Sequence, residues 1–127
     1  MKVFKRKRTG PQISRTAALN ATPVKSREVD EVRLESGEVL LTYPVAIRPW
    51  LAGVIRRLGG PPAKIQKKKL QLDTLGTSVW DLLNGQRSVN QIIRRFAQTH
   101  QIHAREAEVA VTRFLRDLGR RGLIGLR

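Results

Sequence analysis

The stretch from Leu70 to Val89 constrains the fold most, because it combines an extended segment, a helix, a turn and the start of a second helix. Asp73 is placed to cap the first helix, since its carboxylate can accept hydrogen bonds from amides of the first turn. Asn84 and Gly85 end this helix, because glycine adopts the left-handed conformation of helix ends at little cost. Ser88 caps the next helix. The apolar residues that the spacing places on one face of the first helix are Leu75, Val79, Trp80 and Leu83.

Composition limits the class of protein. A chain of 127 residues with 40% hydrophobic residues predicts one domain with a modest core. The absence of cysteine excludes disulfide scaffolds, thiolate zinc sites and cysteine nucleophiles. No apolar run is long enough to cross a membrane, and no apolar core of a secretion signal follows the basic start, so we expect a cytoplasmic protein.

The net charge of +15 predicts an anionic partner, which is nucleic acid, lipid head groups or an acidic peptide. Residues 1–28 carry eight Lys or Arg and one Glu, while residues 29–127 carry seventeen Lys or Arg and nine Asp or Glu. Between Glu38 and Asp73 there is no acidic residue, against seven basic ones. This acid-free interval contains the segment that we expect to bind the partner.

The N-terminal part divides into a tail and a hairpin. Residues 1–28 show no sustained period and are predicted to form a basic flexible tail, with the domain over residues 29–127. Val29 to Leu34 and Val39 to Tyr43 predict a β-hairpin around a turn rich in polar residues. Pro44 is expected to interrupt or end its second strand.

Two further elements precede the first capped helix. Pro49 to Leu58 has the spacing of a short amphipathic helix, inserted between strands and carrying Arg56 and Arg57. Ile65 to Leu72 predicts a third strand, whose consecutive lysines are typical of an edge that resists unwanted pairing. Alternation places Lys68, Leu70 and Leu72 on one face and Lys67, Lys69 and Gln71 on the other.

The C-terminal part predicts two amphipathic helices. The first runs from Val89 to about His100, and the second from about Ala104 to Arg121, where Gly122 stops it. Leu123 and Ile124 are then expected to fold back as an apolar closure. The helical residues expected to be buried are Val89, Ile92, Ile93, Phe96, Ala97, Ala107, Val111, Phe114, Leu115 and Leu118. Three strands followed by a three-helix bundle predict an α+β, winged-helix-like domain.

No catalytic constellation is present, so we expect a protein that is not an enzyme and needs no cofactor. His100 and His103 lack nearby further ligands for zinc, and no metal site is expected. The last helix carries a second stripe off its core face, which combines positive charge with an apolar residue. Its members are Arg105, Val109, Thr112, Arg113 and Arg116. A solvated face with one stray valine explains the stripe equally well.

The order of these signals resembles the PqqD family, which takes its name from pyrroloquinoline quinone (PQQ) biosynthesis protein D. A closing segment from Phe114 to Ile124 is similar to the C-terminal helix of that family. The resemblance covers roughly residues 29–126, and the basic tail and the inserted helix depart from the family's pattern. The residues that carry its central motif are Leu72, Asp73, Gly76, Asn84, Gly85, Ser88 and Val89.

The resemblance implies a peptide chaperone, as in the precursor-recognition domains of ribosomal peptide pathways. In such proteins the leader of a precursor peptide adds as a strand to the third β-strand and lies against the last helix, beside a radical S-adenosylmethionine enzyme. In this chain those surfaces are the last-helix stripe and the third-strand residues Lys67, Lys68, Lys69, Leu70 and Gln71. The basic side chains favour an acidic leader. The departures from the pattern favour a modified peptide other than the quinone precursor itself.

Two other functions fit the same elements. A winged-helix DNA-binding protein would place residues of the last helix in a major groove and the tail on phosphates. A membrane-surface adaptor would use Arg56, Arg57 and the amphipathic helix around them. The sequence does not specify an oligomeric state.

Overall fold

The structure is a computed structural model that describes residues 14–45, 54, 56–59 and 66–127. It confirms the α+β class. The helices are α1 (Arg15–Asn20), α2 (Thr74–Leu82), α3 (Val89–His100) and α4 (Ala104–Arg120), and the strands are β1 (Pro23–Lys25), β2 (Asp30–Arg33), β3 (Val39–Val45), β4 (Gln66–Gln71) and β5 (Ile124–Leu126).

Some predicted segments lie outside the described residues. The basic cluster near the start of the chain and most of the helix predicted over residues 49–58 are among them. Of that helix, Val54, Arg56 and Arg57 have helical backbone, and the Leu58 amide donates to the Val54 carbonyl at 3.1 Å.

The predicted hairpin and third strand form an antiparallel sheet in the order β2-β3-β4. Val32 pairs with Leu40 across the hairpin, and Leu41 pairs with Leu70 across the next ladder. The inward face of β3 is deeply buried at Val39 and Leu41, which alternate with half-buried residues. Since β4 is the last strand in this order, the lysine-rich segment lies at the sheet edge, as its composition predicts.

The prediction that Pro44 interrupts its strand was wrong, because β3 continues through it to Val45. The Leu34 amide donates to the Glu38 carbonyl, so the even-numbered residues of β3 turn their backbone groups toward β2. Pairing with β2 stops at Thr42. The nitrogen of Pro44 therefore faces the side where β2 has already ended, and its missing N–H breaks no ladder bond.

A second, smaller sheet joins the two ends of the described chain. β1 pairs with β5 in antiparallel register, with Pro23 opposite Leu126 and Lys25 opposite Ile124. Thr22 and Arg127 exchange a pair of backbone hydrogen bonds of 2.9 and 3.0 Å. The predicted closure by the segment after Gly122 therefore takes the form of a strand.

The segment predicted as the second half of a flexible tail contains α1 and β1. Ser14 caps α1 by accepting from the Ala17 amide, and Leu19 is buried in the core. The Ala21 carbonyl accepts from the Val89 amide at 2.9 Å, which joins the end of α1 to the start of α3. These contacts fix residues 14–25 on the helical part of the molecule.

The caps of the helices form as predicted. Asp73 accepts from the Gly76 amide at 2.7 Å at the start of α2. Ser88 and Gln91 form a reciprocal capping box at the start of α3. Gly122 ends α4 with a φ of 77°, a backbone conformation that glycine tolerates best.

The core lies between the helices and the inner face of the larger sheet. Its largest buried side chains include Trp80 of α2 and Phe96 of α3, each 1% exposed. Two residues predicted to be buried, Ala97 and Phe114, are only partly buried, and Leu75, which spacing places on the apolar face of α2, is 51% exposed. Leu75 and Phe114 lie beside a cleft between α2 and α4, which explains their exposure.

Candidate functional site

The outer edge of β4 presents backbone hydrogen-bonding groups from alternate residues. The Leu72 amide donates to the Val39 carbonyl at 2.8 Å, so even-numbered residues of this segment face β3. Successive residues of a strand face opposite sides, which turns the N–H and C=O groups of Lys67, Lys69 and Gln71 outward. Within the described residues, β4 pairs with β3 alone.

The side chains of β4 divide between two surfaces. Lys68 lies opposite Tyr43 and Leu70 opposite Leu41, so both share the sheet face that packs on the core. Leu70 is half-buried there, whereas the three lysines are exposed. Lys67 and Lys69 project from the other face, where Gln71 donates to the Glu38 carboxylate at 3.0 Å.

An apolar cleft, the α2 cleft, lies where β4 ends and α2 begins. Its volume is about 170 Å³, and α2, α3 and α4 all contribute to its walls. A Cβ atom on Gly76 would lie 3.1 Å from both Asp73 Oδ1 and the Phe114 ring, so glycine permits this close approach of α2 to α4. The lining residues are Asp73, Leu75, Gly76, Val79, Phe96, Ala110 and Phe114.

The predicted stripe occupies one side of α4, because its members follow the i, i+4, i+7, i+8 and i+11 spacing of a helix face. Ala110 and Phe114 face the α2 cleft, and Arg113 follows Ala110 by three residues on that flank. Thr112 and Arg116 instead line a larger cleft of about 920 Å³, formed by α4 with α1 and β5. The structure thus places part of the stripe on the far side of α4 from the α2 cleft.

The remaining members of the stripe are exposed. Arg105 lies in the first turn of α4, and Val109, one turn later, is 46% exposed. Thr112 donates its hydroxyl hydrogen to the Glu108 carbonyl at 2.7 Å, which leaves its side chain engaged with its own helix.

Two arginine side chains connect α4 to its neighbours. Arg121 donates to the Tyr43 hydroxyl at 3.1 Å and to Asp117 at 3.2 Å, and these hydrogen bonds raise the pKa of Arg121. Arg15 of α1 donates twice to Glu108, which lowers the pKa of the Glu108 carboxyl. The first contact ties α4 to β3, and the second ties it to α1.

Both histidines have structural roles. His100 Nε2 lies 2.9 Å from Ser78 Oγ, and its ring packs on Phe96 at a centroid distance of 4.5 Å. His103 caps α4 by accepting from the Arg105 amide. Among the described residues, no group of three acidic or histidine side chains is arranged to hold a metal ion.

None of the helices in the described part of the chain combines the length and the apolar character needed to cross a membrane.

These elements define a small α+β domain, in which a lysine-rich strand edge without a partner strand among the described residues lies beside a helical cleft. Residues 64–124 match the family model described as coenzyme PQQ synthesis protein D (PqqD). This part of the chain is PqqD-like, as its motifs predict, and it contains β4, α2, α3 and α4. The N-terminal hairpin lies outside the matched residues.

No match was found among curated proteins or among solved structures. The family match suggests an accessory protein of the PQQ-biosynthesis type.

Proposed function

We propose that this protein is a peptide-binding accessory protein, which captures the leader of a ribosomally made precursor peptide by strand addition to β4. It then presents the peptide to a modifying enzyme, and the PqqD resemblance implies a radical S-adenosylmethionine enzyme in that role. The observation that carries the proposal is the set of outward backbone groups at Lys67, Lys69 and Gln71. A guest strand can bond to these groups whatever its own side chains are.

Side chains then select among guests. Lys67, Lys68 and Lys69 are exposed along the edge, and no carboxylate pairs with them among the described residues. They favour an acidic leader, chiefly by increasing the rate of encounter and by excluding basic segments. Ion pairs of this exposed kind add little affinity, so the main-chain bonds supply most of the affinity for an extended segment.

Apolar side chains of the guest have a receiving surface nearby. Leu70 is half-buried on the core side of β4, and the α2 cleft begins just beyond the end of the strand. We propose that guest side chains on this side contact Leu70, Phe114 and the exposed Leu75. On α4, Arg105, Val109 and Arg113 would flank the guest, while Thr112 and Arg116 face the cleft beside β5.

The test is amide hydrogen exchange with and without a precursor peptide encoded beside this protein's gene. In the free protein the outward amides of Lys67, Lys69 and Gln71 should exchange fast, whereas those of Lys68 and Leu70 are already protected by β3. Peptide binding should protect the three outward amides. Protection confined to α4, with the strand amides unchanged, would rule out strand addition.

A charge-reversal series separates the strand edge from general attraction. Changing Lys67→Glu together with Lys69→Glu should weaken peptide binding more than Arg94→Glu with Arg95→Glu does. The second pair is the control, because it makes the same charge change on α3. The DNA-binding alternative predicts that the protein binds random duplex DNA with an affinity that falls steeply with salt, and that it does not bind the peptide. That result would replace the peptide-binding proposal.

A further inference from the structure

A second cleft, built from the α2–α3 turn and the exposed face of α3, is lined entirely by polar and cationic side chains. It is open to solvent, with a volume of about 440 Å³. It shares no lining residue with β4 or with the α2 cleft. The side chains that line it are Asn84, Gln86, Arg87, Gln91, Arg94, Arg95 and Gln98.

Two of the side-chain amide oxygens around this cleft, those of Asn84 and Gln91, already accept hydrogen bonds from the protein itself. The Asn84 side-chain oxygen accepts from the amides of Gln86 and Arg87, both at 2.9 Å. The Gln91 side-chain oxygen accepts from the Ser88 amide at 2.9 Å as part of the α3 cap. The Gly85 carbonyl accepts from the Arg127 guanidinium at 2.6 Å.

The arginine N–H donors around this cleft, in contrast, are mostly without hydrogen-bond acceptors among the described residues. Arg94 and Arg95 are exposed and have no carboxylate partner in the part of the chain that the structure describes. Arg87 donates one N–H to the Leu82 carbonyl at 3.0 Å, which holds the half-buried guanidinium in place with its other N–H groups unused. Gln91 can add its side-chain amide N–H groups as further donors.

We propose that this cleft, the α3 cleft, binds phosphate groups through the guanidinium groups of Arg87, Arg94 and Arg95. Spare donors without a carboxylate in the lining select an anion, and the planar guanidinium fork matches phosphate oxygens in pairs. An open cleft admits a phosphate carried on a chain as well as a free one. The net charge of +15 attracts either kind of ligand over a long range.

The test uses the full chain with three probes: inorganic tripolyphosphate, a short single-stranded oligonucleotide, and a glutamate peptide of equal formal charge. The readout is the NMR shift of the arginine Nε–H groups and of the backbone amides from Asn84 to Arg95. Both phosphate probes should shift these signals saturably, and whichever binds more tightly identifies the free or the polymeric source. The glutamate peptide should bind more weakly.

A matched pair of variants separates the site from net charge. Arg94→Gln with Arg95→Gln should weaken phosphate binding by about tenfold or more, since hydrogen bonds to charged groups are lost. Arg56→Gln with Arg57→Gln removes the same charge from another pair of exposed consecutive arginines and should have a much smaller effect. Equal losses in both variants, shifts spread over the whole basic surface, or equal binding of the glutamate peptide would each overturn the proposal.

Discussion

Replacement of Lys69 by proline tests strand addition most directly. The Lys69 N–H points away from β3, so proline removes a donor from the outer edge without removing a bond of the existing ladder. Proline is tolerated on edge strands where the N–H faces solvent. We therefore expect the fold to persist while a guest strand loses one main-chain partner.

The expected loss follows from the group left unpaired in the complex. A guest carbonyl held against the proline ring would be buried without a donor, which costs roughly 2 kcal/mol. This corresponds to about a thirtyfold increase in Kd. Lys69→Ala removes only an exposed charge and should cost about 1 kcal/mol or less.

Calorimetric titration with the precursor peptide measures both losses, and thermal unfolding checks the fold. Lys68→Pro is the complementary variant, because its N–H faces β3 and its loss should lower the Tm strongly. If Lys69→Pro and Lys69→Ala bound the peptide equally well, the outer edge of β4 would not be the main-chain contact.

Two further predictions concern the framework. Arg15 donates hydrogen bonds to the Glu108 carboxyl, which holds the pKa of this carboxyl below its ordinary value of 4.5. The stabilisation that this ion pair contributes to folding is therefore full above pH 4.5 and disappears as the pH falls through the pKa of the folded state. The free energies of unfolding of the wild type and of Glu108→Gln, measured in urea, should therefore differ near neutral pH and converge in acid. A difference that stayed constant with pH would contradict the role of the ion pair. Ser88→Ala removes one half of the α3 capping box and should lower the free energy of unfolding by about 1 kcal/mol in the same assay. An unchanged urea midpoint would show that the cap is dispensable.

Local signals were sufficient to predict the elements around the central stretch. The caps Asp73 and Ser88 and the charge pattern of β4 each act within a few residues, and the structure places all three as expected. Alternation also placed Leu70 and Leu72 on one face of this strand, and the structure shows that this face is the inner one.

The elements that were missed depend on distant partners. β1 and β5 are only three residues long, and neither shows a period of its own. α1 has six residues and one buried side chain, Leu19, so it carries no apolar stripe. Only Ser14, its capping residue, could have indicated it from the sequence.

The α2 cleft explains why Leu75 and Phe114 are less buried than their helix faces suggest. Periodicity assigns a residue to a helix face but does not show how far the neighbouring helix covers that face. Leu75 lies at the margin of the apolar face of α2 and in its first turn, and Phe114 lies at the margin of the apolar face of α4. The α2 cleft leaves both margins incompletely covered.

The pairing of β1 with β5 has a consequence for how the molecule is made. Pro23 pairs with Leu126, so β1 cannot find its partner until about a hundred further residues have been synthesised. During translation, β2, β3 and the capped helices can assemble from contacts between near neighbours, whereas this small sheet cannot form until its last strand has left the ribosome. Loss of β5 would therefore leave β1 without its partner strand.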